Sequence, residues 1–347
     1  MASEGLLLGS TAGALVLIAL ATGAIWIASG WLERSADALA GYYGLPPVIQ
    51  GSIVVAVGSS FPEFSSVVFT ALAGTFDMGV GAIVGSAIFN VLVIPALSGL
   101  AADGDLEANR EIVYKEAQFY MIAVSALVVT FALAVIYAPA TGETGTTLVG
   151  EITRPLAAIP LALYGLYLFI QWQDVEDHEV VPDREGVSVR RQWMLLFAGL
   201  FAILVAVEQL VAGVESMAAT FSVSEFLAGV TIVAAATSLP DAIVSVRSAR
   251  AENGLTSLGN VFGSNTFDLL VAIPAGVLIV GTVTVDFAVA APMMGVLTLA
   301  TVFLFALVRM DLSVNDPESY ALLAAYGLFV AWVIAETVGV TSLLRPA

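Results

Sequence analysis

Long apolar stretches alternate with short polar breaks along the whole chain of 347 residues. A helix that crosses a bilayer needs about 20 mostly apolar residues, and a helix that is apolar on every side is buried or surrounded by lipid. The pattern therefore predicts an all-α integral membrane protein with about ten transmembrane helices. The predicted helices cover residues 5–30, 48–73, 79–101, 117–138, 154–171, 193–213, 226–247, 256–280, 283–308 and 320–343.

The composition supports a lipid bilayer as the surroundings of this chain. Hydrophobic residues make up 59 % of it and charged residues 12 %, about half the share in a soluble domain. The 29 acidic and 11 basic residues give a net charge of −18, which argues against nucleic acid as a partner and against docking on anionic lipid. A Lys-poor, acidic surface also suits a source with high salt, where charges are screened. The oligomeric state stays open.

The distribution of polar and basic residues predicts the domain organisation and the orientation. The longest polar interruption, an acidic loop at 172–192, separates a unit at 1–171 from a unit at 193–347, each with five predicted helices. Basic residues collect in cytoplasmic loops. We therefore expect a multi-pass protein of the cell membrane with both termini extracellular and the acidic loop cytoplasmic. This orientation places nine of the eleven basic residues inside: Arg34, Arg110, Lys115, Arg184, Arg190, Arg191, Arg247, Arg250 and Arg309.

The two units repeat the same sequence pattern. A shift of 178 residues, without a gap, aligns Glu63 with Asp241 and Asn90 with Asp268. Because five helices is an odd number, the second unit must cross the membrane inverted relative to the first. Inverted repeats are a common plan of secondary transporters, with the binding site near the midplane between the repeats. The same shift aligns Gly51 with Gly229, Ser60 with Ser238, Pro62 with Pro240, Gly85 with Gly263, Ser86 with Ser264, and Phe89 with Phe267.

Glu63 and Asp241 each lie deep in an apolar stretch, directly after a proline. A charge at that depth costs at least about 2.5–3.5 kcal/mol, so it indicates a function. The proline removes a helical hydrogen bond and leaves a backbone carbonyl oxygen free. Carboxylate, hydroxyl and carbonyl oxygens together suit hard cations such as Ca²⁺ and do not suit soft metals. The hydroxyls one turn before the two acids belong to Ser59, Ser60, Thr237 and Ser238.

The next predicted helix in each unit carries further polar residues at helical spacing. Ser86 and Asn90 are four residues apart, as are Ser264 and Asp268, so each pair shares one helix face. Asp268 has no basic residue nearby in the sequence to neutralise it. The glycines of these segments favour close helix packing as well as a role at the site. They are Gly81, Gly85, Gly259 and Gly263.

The segments 54–63 with 81–90 and 232–241 with 259–268 resemble the two α-repeats of the sodium/calcium exchanger family, within the Ca²⁺/cation antiporter superfamily. The acidic composition resembles a prokaryotic, haloarchaeal-type member. The resemblance implies a Na⁺/Ca²⁺ antiporter working by alternating access, with no enzymatic activity and no cofactor. It implies Glu63 and Asp241 as central Ca²⁺ ligands, aided by backbone oxygens of Ser59 and Thr237 and bordered by Asn90 and Asp268, with flanking Na⁺ sites at Ala56, Ala234, Ser60, Ser86, Ser238 and Ser264.

Some positions depart from the family pattern, such as Ser59, where Thr is frequent in the family, and other functions stay open. Many prokaryotic members of that family carry Glu where Asp241 stands, and Asp268 resembles both K⁺-dependent and K⁺-independent members. The alternatives are a Ca²⁺/H⁺ or K⁺-dependent exchanger of the same fold, a passive cation channel, and an intramembrane hydrolase with two acids. Two further acids, Glu208 and Glu336, lie near predicted outer helix ends, where we expect them at the surface rather than at the site.

Overall fold

Twelve helices form almost the whole of what the computed structural model describes, residues 10–44, 56–110, 112–140, 148–173 and 187–344. Eight of them are single helices long and apolar enough to cross a membrane. The fold class predicted from the sequence is thereby confirmed. The helices are α1 (Thr11–Tyr43), α2 (Ala56–Ser59), α3 (Phe61–Ala73), α4 (Phe76–Ala101), α5 (Ile112–Tyr137), α6 (Arg154–Gln173), α7 (Val189–Phe221), α8 (Glu225–Thr237), α9 (Leu239–Arg250), α10 (Gly254–Val280), α11 (Phe287–Asp311) and α12 (Asp316–Thr337).

Two of the predicted crossings are broken into shorter helices. Helices α8 and α9 form one apolar crossing with a bend of 44° between them. Helices α2 and α3 occupy the corresponding place in the first unit, and the start of that predicted crossing, residues 48–55, lies outside the described residues. Three helices contain a π-helical turn, at Ile112–Glu116 in α5, Gly229–Val233 in α8 and Asp268–Ala272 in α10.

Several predicted boundaries were wrong. Helix α1 continues to Tyr43 rather than ending at 30, and α7 continues to Phe221 rather than 213, because good helix formers such as Ala, Leu and Glu follow the apolar stretch. The polar interruption is shorter than 172–192, since α6 ends at Gln173 and α7 begins at Val189. Residues 174–186 of the predicted acidic loop lie outside the described residues.

Two short antiparallel ribbons join the units at opposite ends of the bundle. Strand β1 (Leu106–Glu107) pairs with β4 (Ser313–Val314), and β2 (Val149–Thr153) pairs with β3 (Thr282–Asp286). Each ribbon therefore takes one strand from each unit. Because β1 and β2 lie at opposite ends of α5, the two ribbons cover opposite ends of the bundle, as inverted repeats require. The predicted start of the ninth helix at 283 was wrong, because these residues form β3.

Glycines in α4 allow its backbone to touch that of α8. A Cβ at Gly81 would overlap the carbonyl oxygen of Phe226, and a Cβ at Gly85 would overlap that of Val230. Small residues at such crossings let membrane helices approach closely. The corresponding glycine of the second unit, Gly259, faces only a side-chain methyl group 3.6 Å away. Packing therefore accounts for the glycines of α4 but not for Gly259.

The buried apolar side chains separate into two clusters. The larger cluster joins α3 to α6 with α8 to α12. The smaller cluster consists mainly of α1 packed along α7, and it also includes Met78 and Ala82 of α4 and three side chains of α8. Helices α1 and α7 therefore form a layer of their own beside the bundle. Residues of this layer include Ala21, Ile25, Ala28, Leu32, Ile203, Val207, Leu210 and Val214.

One buried acid that the sequence interpretation did not single out ties α5 to α6. Glu116 is 6 % exposed and accepts hydrogen bonds from the Tyr167 hydroxyl at 3.0 Å and from Gln171 Nε2 at 2.7 Å. Lys115 lies 3.9 Å from the same carboxylate. Because each of these buried polar groups has a protein partner, the network needs no ion to satisfy them.

The glycine contacts predict different tolerance at two repeat-related positions. We expect Gly81→Ala to lower the free energy of unfolding by about 1–3 kcal/mol, because the new Cβ forces α4 away from α8. Gly259→Ala is the matched control and should not destabilise the protein. Thermal unfolding in detergent measures both variants, and equal destabilisation would contradict the packing role of Gly81.

Candidate cation-binding site

Glu63 and Asp241 occupy corresponding places in the two broken crossings. The breaks fall at Ser60 and Ser238, and the acids lie in the first turns of α3 and α9. A proline precedes each acid, at a position in the first turn where no backbone N–H is needed for the helix. Each carboxylate thus lies inside a crossing and also at the N-terminus of a half-helix, whose dipole favours negative charge.

The predicted site residues on these helices are buried together. The side chains of Glu63, Asp241 and Asp268 are completely buried, and Ala234 is 2 % exposed. Ala56 begins α2, and its side chain lies outside the described residues. The other predicted residues are likewise completely buried: Asn90, Ser59, Ser60, Ser86, Thr237, Ser238 and Ser264.

One hydrogen bond to Glu63 comes from the next helix of its own unit. Ser86 Oγ donates to Glu63 Oε1 at 3.4 Å, and Ser238 Oγ of the second unit donates to Ser86 Oγ at 2.8 Å. Thr237 Oγ1 donates to a backbone oxygen of its own helix, that of Val233, at 3.1 Å. The site at Glu63 therefore combines groups from both units.

Asp241 accepts a hydrogen bond from its repeat-related serine and another from the first unit. Ser264 Oγ donates to Asp241 Oδ1 at 3.3 Å, which repeats the bond between Ser86 and Glu63. Asn90 Nδ2 donates to Asp241 Oδ2 at 3.0 Å and so links the first unit to this carboxylate. Because these bonds connect α4, α9 and α10, they hold Asp241 at the interface between the units.

Two asparagines of α10 complete the network, and the sequence interpretation gave neither of them a role. Asn265 accepts from Asn90 Nδ2 at 3.0 Å and donates to the backbone oxygen of Ala87 at 3.3 Å. Asn260 Oδ1 lies 3.5 Å from Ser59 Oγ, which donates to it. The repeat pairs Asn265 with Ala87 and Asn260 with Ala82. A search for residues shared by both units therefore does not find these two asparagines. Their only sequence signal is their position in the α10 segment.

Several buried oxygen atoms of the site have no hydrogen-bond partner among the described residues. Glu63 Oε2, both oxygens of Asp268, Asn90 Oδ1 and Ser60 Oγ belong to this group. A buried polar atom without a partner costs about 1–3 kcal/mol, so such a concentration needs an explanation. All these atoms are oxygens, which are the ligands that hard cations prefer.

Carboxylates alone do not build this site. Within the described parts of the chain, no three Asp, Glu or His side chains come close enough together to hold one metal ion. Hydroxyl, amide and backbone oxygens must then supply the remaining ligands of any cation held there. Such mixed oxygen sets suit Ca²⁺ and Na⁺ rather than a soft or transition metal.

The two further intramembrane acids have different surroundings. Glu208 lies exposed on α7, as expected. Glu336 is completely buried at the end of α12, so the surface position expected for it was wrong. Its carboxylate accepts from the backbone N–H of Leu344 at 2.7 Å and from the Thr341 hydroxyl. The segment after α12 folds back over the helix end, and this tertiary contact has no signal in the apolar pattern.

Comparisons with known proteins give a consistent result. The model of the sodium/calcium exchanger protein family matches residues 13–173 and 191–335. The membrane protein MJ0091 of Methanocaldococcus jannaschii is 26 % identical over 317 residues, which are 88 % of this chain and 93 % of that protein. Sodium/potassium/calcium exchanger 3 of Rattus norvegicus is 38 % identical over 85 residues, which are 23 % of this chain and 13 % of that exchanger.

A solved structure extends the similarity to the fold. The sodium-calcium exchanger NCX_Mj, soaked with Na⁺ and Sr²⁺, superimposes with a TM-score of 0.65 at 22 % identity. The similarity covers 92 % of this chain and 97 % of that one. The two proteins therefore share their fold over nearly the whole length of both chains.

Glu336 allows a test that separates structural acids from site acids. We expect Glu336→Ala to lower the free energy of unfolding by about 1–3 kcal/mol, because the N–H of Leu344 loses its buried partner. Glu208→Ala, at an exposed position, should change it by less than about 0.5 kcal/mol. Thermal unfolding together with Ca²⁺ titration measures both effects. A weaker Ca²⁺ affinity of folded Glu336→Ala would contradict the purely structural role.

Proposed function

Because the chain belongs to the sodium/calcium exchanger family, we propose that it exchanges Ca²⁺ for Na⁺ at the site between Glu63 and Asp241. As a member of this family it is a multi-pass membrane antiporter. The observation that supports this site is the cluster of buried oxygen atoms without hydrogen-bond partners, which come from both repeats. Cations are the transported substrates at this site, and no resident cofactor is part of the proposal.

The proposed ligands follow from which oxygens are available. Ca²⁺ takes 6–8 oxygens, so two carboxylates need amide, hydroxyl and backbone oxygens beside them. Asn90 Oδ1 is buried without a hydrogen-bond partner, and Nδ2 of the same side chain donates to Asp241. We assign Ca²⁺ to Glu63, Asp241 and the backbone oxygens of Ser59 and Thr237, bordered by Asn90 and Asp268, and the flanking Na⁺ ions to Ala56, Ala234, Ser60, Ser86, Ser238 and Ser264.

Competition for the same carboxylates would couple the two ions. Buried negative charges repel each other strongly unless a positive charge lies between them. One Ca²⁺ or several Na⁺ ions can supply that positive charge, but both loads cannot occupy the same oxygens at once. Antiport follows when only a loaded site can close and reopen on the other side of the membrane.

We propose that the α1 and α7 layer slides against the rest of the bundle to change access. The smaller hydrophobic cluster supports this division, because most of its side chains join α1 to α7 and only a few belong to α4 and α8. The site residues lie on α2 to α4 and α8 to α10, within the part that stays together. This arrangement agrees with the alternating movement of repeats in secondary transporters.

We also propose the domain organisation and the orientation in the membrane. The two inverted units cover residues 1–171 and 193–347. With both termini extracellular, the β1–β4 ribbon lies on the cytoplasmic side and the β2–β3 ribbon on the outer side. The basic residues near the β1–β4 end support this orientation, since positive charge collects in the cytoplasm. They include Arg110, Lys115, Arg250 and Arg309.

Loss of either central carboxylate tests the function directly. We expect Asp241→Asn and Glu63→Gln each to reduce Na⁺-driven ⁴⁵Ca²⁺ uptake into proteoliposomes by about tenfold or more, because the site loses a charge that balances Ca²⁺. Glu208→Gln removes an exposed acid from α7 and is the matched control, with uptake unchanged. Full uptake by Glu63→Gln would contradict the proposed site.

The same assay separates the proposed function from its relatives. Uptake should require internal Na⁺ and fail with internal choline or K⁺ alone. Uptake driven by a pH gradient without Na⁺ would replace the Na⁺ coupling by proton coupling. Ca²⁺ flux without any counter-ion would show a channel instead of an antiporter.

Single cysteines test the orientation, because the natural chain contains no Cys. Asp103 near β1 and Thr282 in β3 are both exposed and lie at opposite ends of the bundle. We expect a membrane-impermeant maleimide to label Thr282→Cys but not Asp103→Cys on intact cells. Permeabilised cells serve as the control, in which both variants react. The reverse pattern on intact cells would invert the proposed topology.

A further inference from the structure

A hydrogen bond joins the α1 and α7 layer to the rest of the bundle, near the outer end in the proposed orientation. Thr75 Oγ1 donates to Glu215 Oε1 at 2.8 Å. Thr75 lies in the turn between α3 and α4, and Glu215 lies near the end of α7. An ionised acceptor makes such a bond stronger than one between neutral groups. The bond therefore crosses the boundary along which the layer is proposed to slide.

The turn that carries Thr75 is fixed to the bundle by its backbone. The N–H of Thr75 donates to the backbone oxygen of Thr70 at 2.9 Å, and the N–H of Met78 donates to that of Thr75 at 2.9 Å. Thr75 is the N-cap residue of α4, yet its side chain makes no capping bond to that helix. Its other acceptor, the backbone oxygen of Thr70, is farther away at 3.4 Å. The hydroxyl is therefore directed mainly at α7.

The repeat places the same chemistry at the opposite end of the bundle. The shift of 178 residues aligns Thr75 with Asn253 and Glu215 with Asp37. At each end, a side chain that can donate a hydrogen bond lies in the turn before the fourth or tenth helix. At each end, a carboxylate lies on a helix of the layer. The sequence therefore supplies a donor and an acceptor for the same contact in both units.

The two turns also share their backbone conformation. The residue before each donor is left-handed, with φ of 84° at Gly74 and 56° at Glu252. The N–H of Asn253 donates to the backbone oxygen of Ser248 at 2.9 Å, which repeats the backbone bond made by Thr75. A left-handed conformation is unfavourable for Glu. The shared shape is therefore imposed by the fold, and it presents Thr75 and Asn253 in the same way.

The two pairs are used differently in this structure. Glu215 is half-buried where it meets Thr75, whereas Asp37 is exposed. Asn253 Oδ1 accepts from the backbone N–H of Thr256 at 3.1 Å and so caps α10. Because this cap uses only the amide oxygen, Asn253 can keep it while Nδ2 donates to a carboxylate on α1.

We propose that Thr75 and Glu215 form a latch, a hydrogen bond that holds the α1 and α7 layer in the position seen here with the outer side closed. Asp37 and Asn253 form the repeat-related latch on the cytoplasmic side, which is made once the layer has moved. In inverted repeats, a movement that breaks a contact in one unit makes the related contact in the other. The inference rests on the proposed function, and it adds the residues that hold each end state.

Met78 provides a reporter of the outer boundary. It is completely buried on α4 within the smaller hydrophobic cluster, whose other members come mainly from α1 and α7. The natural chain contains no Cys, so Met78→Cys introduces a single thiol. A membrane-impermeant maleimide reaches this thiol from outside only when the layer has moved away. The labelling rate therefore follows the population of the outward-open state, and Na⁺-driven ⁴⁵Ca²⁺ uptake shows that the reporter variant still exchanges ions.

Loss of the outer latch gives the first test. In the Met78→Cys background, Thr75→Val should speed labelling about fivefold, because it removes one hydrogen bond and keeps the side-chain shape. Thr75→Ser retains the hydroxyl and should leave the rate unchanged. Glu215→Ala should match Thr75→Val and add little to it in the double variant. Glu208→Gln, an exposed acid on the same helix, is the control without effect. Equal rates for Thr75→Val and Thr75→Ser would overturn the proposal.

The cytoplasmic latch gives the second test, with an effect of opposite sign. Asn253→Asp keeps an oxygen that can cap α10 but replaces the amide donor by a carboxylate that repels Asp37. We expect labelling of Met78→Cys to slow about fivefold, because the outward-open state loses the bond that holds it. Faster or unchanged labelling would overturn the pairing of the two latches.

Uptake by the unsubstituted protein tests the proposed function separately. A protein that exchanges the ions but labels at one rate in all these variants refutes the latches alone.

Discussion

Three carboxylates lie completely buried in a bundle whose surface is made for lipid, and this burial constrains the rest of the structure. Glu63, Asp241 and Asp268 form no salt bridge with a basic residue in the described parts of the chain. Buried negative charge without a fixed partner is unstable in a medium of low dielectric constant. In the proposed function, cations that bind and leave balance this charge, so the instability that the fold tolerates is also the source of cation binding.

The broken helices and the close packing follow from this constraint. A break in the middle of each crossing brings helix N-termini, hydroxyls and backbone oxygens to the depth of the acids, where an unbroken helix would keep its backbone groups occupied. The contact of Gly81 and Gly85 with the backbone of α8 then brings Ser86 and Asn90 within reach of groups from the other unit. The same short segments of sequence therefore produce both the close helix packing and the candidate cation site.

The sequence predicted what both units share and missed what only one of them has. Glu63, Asp241 and their hydroxyl neighbours could be identified because one shift of the chain aligns them. Asn260 and Asn265 could not, since their counterparts are alanines and their partners become visible only when α4, α9 and α10 are assembled. The burial of Glu336 depends on a segment folding back over a helix end, and local hydrophobicity carries no information on that contact.

These differences between the units matter because of the inverted symmetry itself. If the two units were identical, exchanging their conformations would turn an outward-open state into an inward-open one of equal free energy. Any preference between these states, and any order in which ions leave, must come from positions at which the units differ. Asp241 opposite Glu63, Asp268 opposite Asn90 and Asn260 opposite Ala82 are such positions, and all of them lie at or next to the site. In the proposed function the repeat supplies a site that both sides of the membrane can reach, its exceptions set any preference between the two states and any order of ion release, and the ion gradients set the direction of exchange.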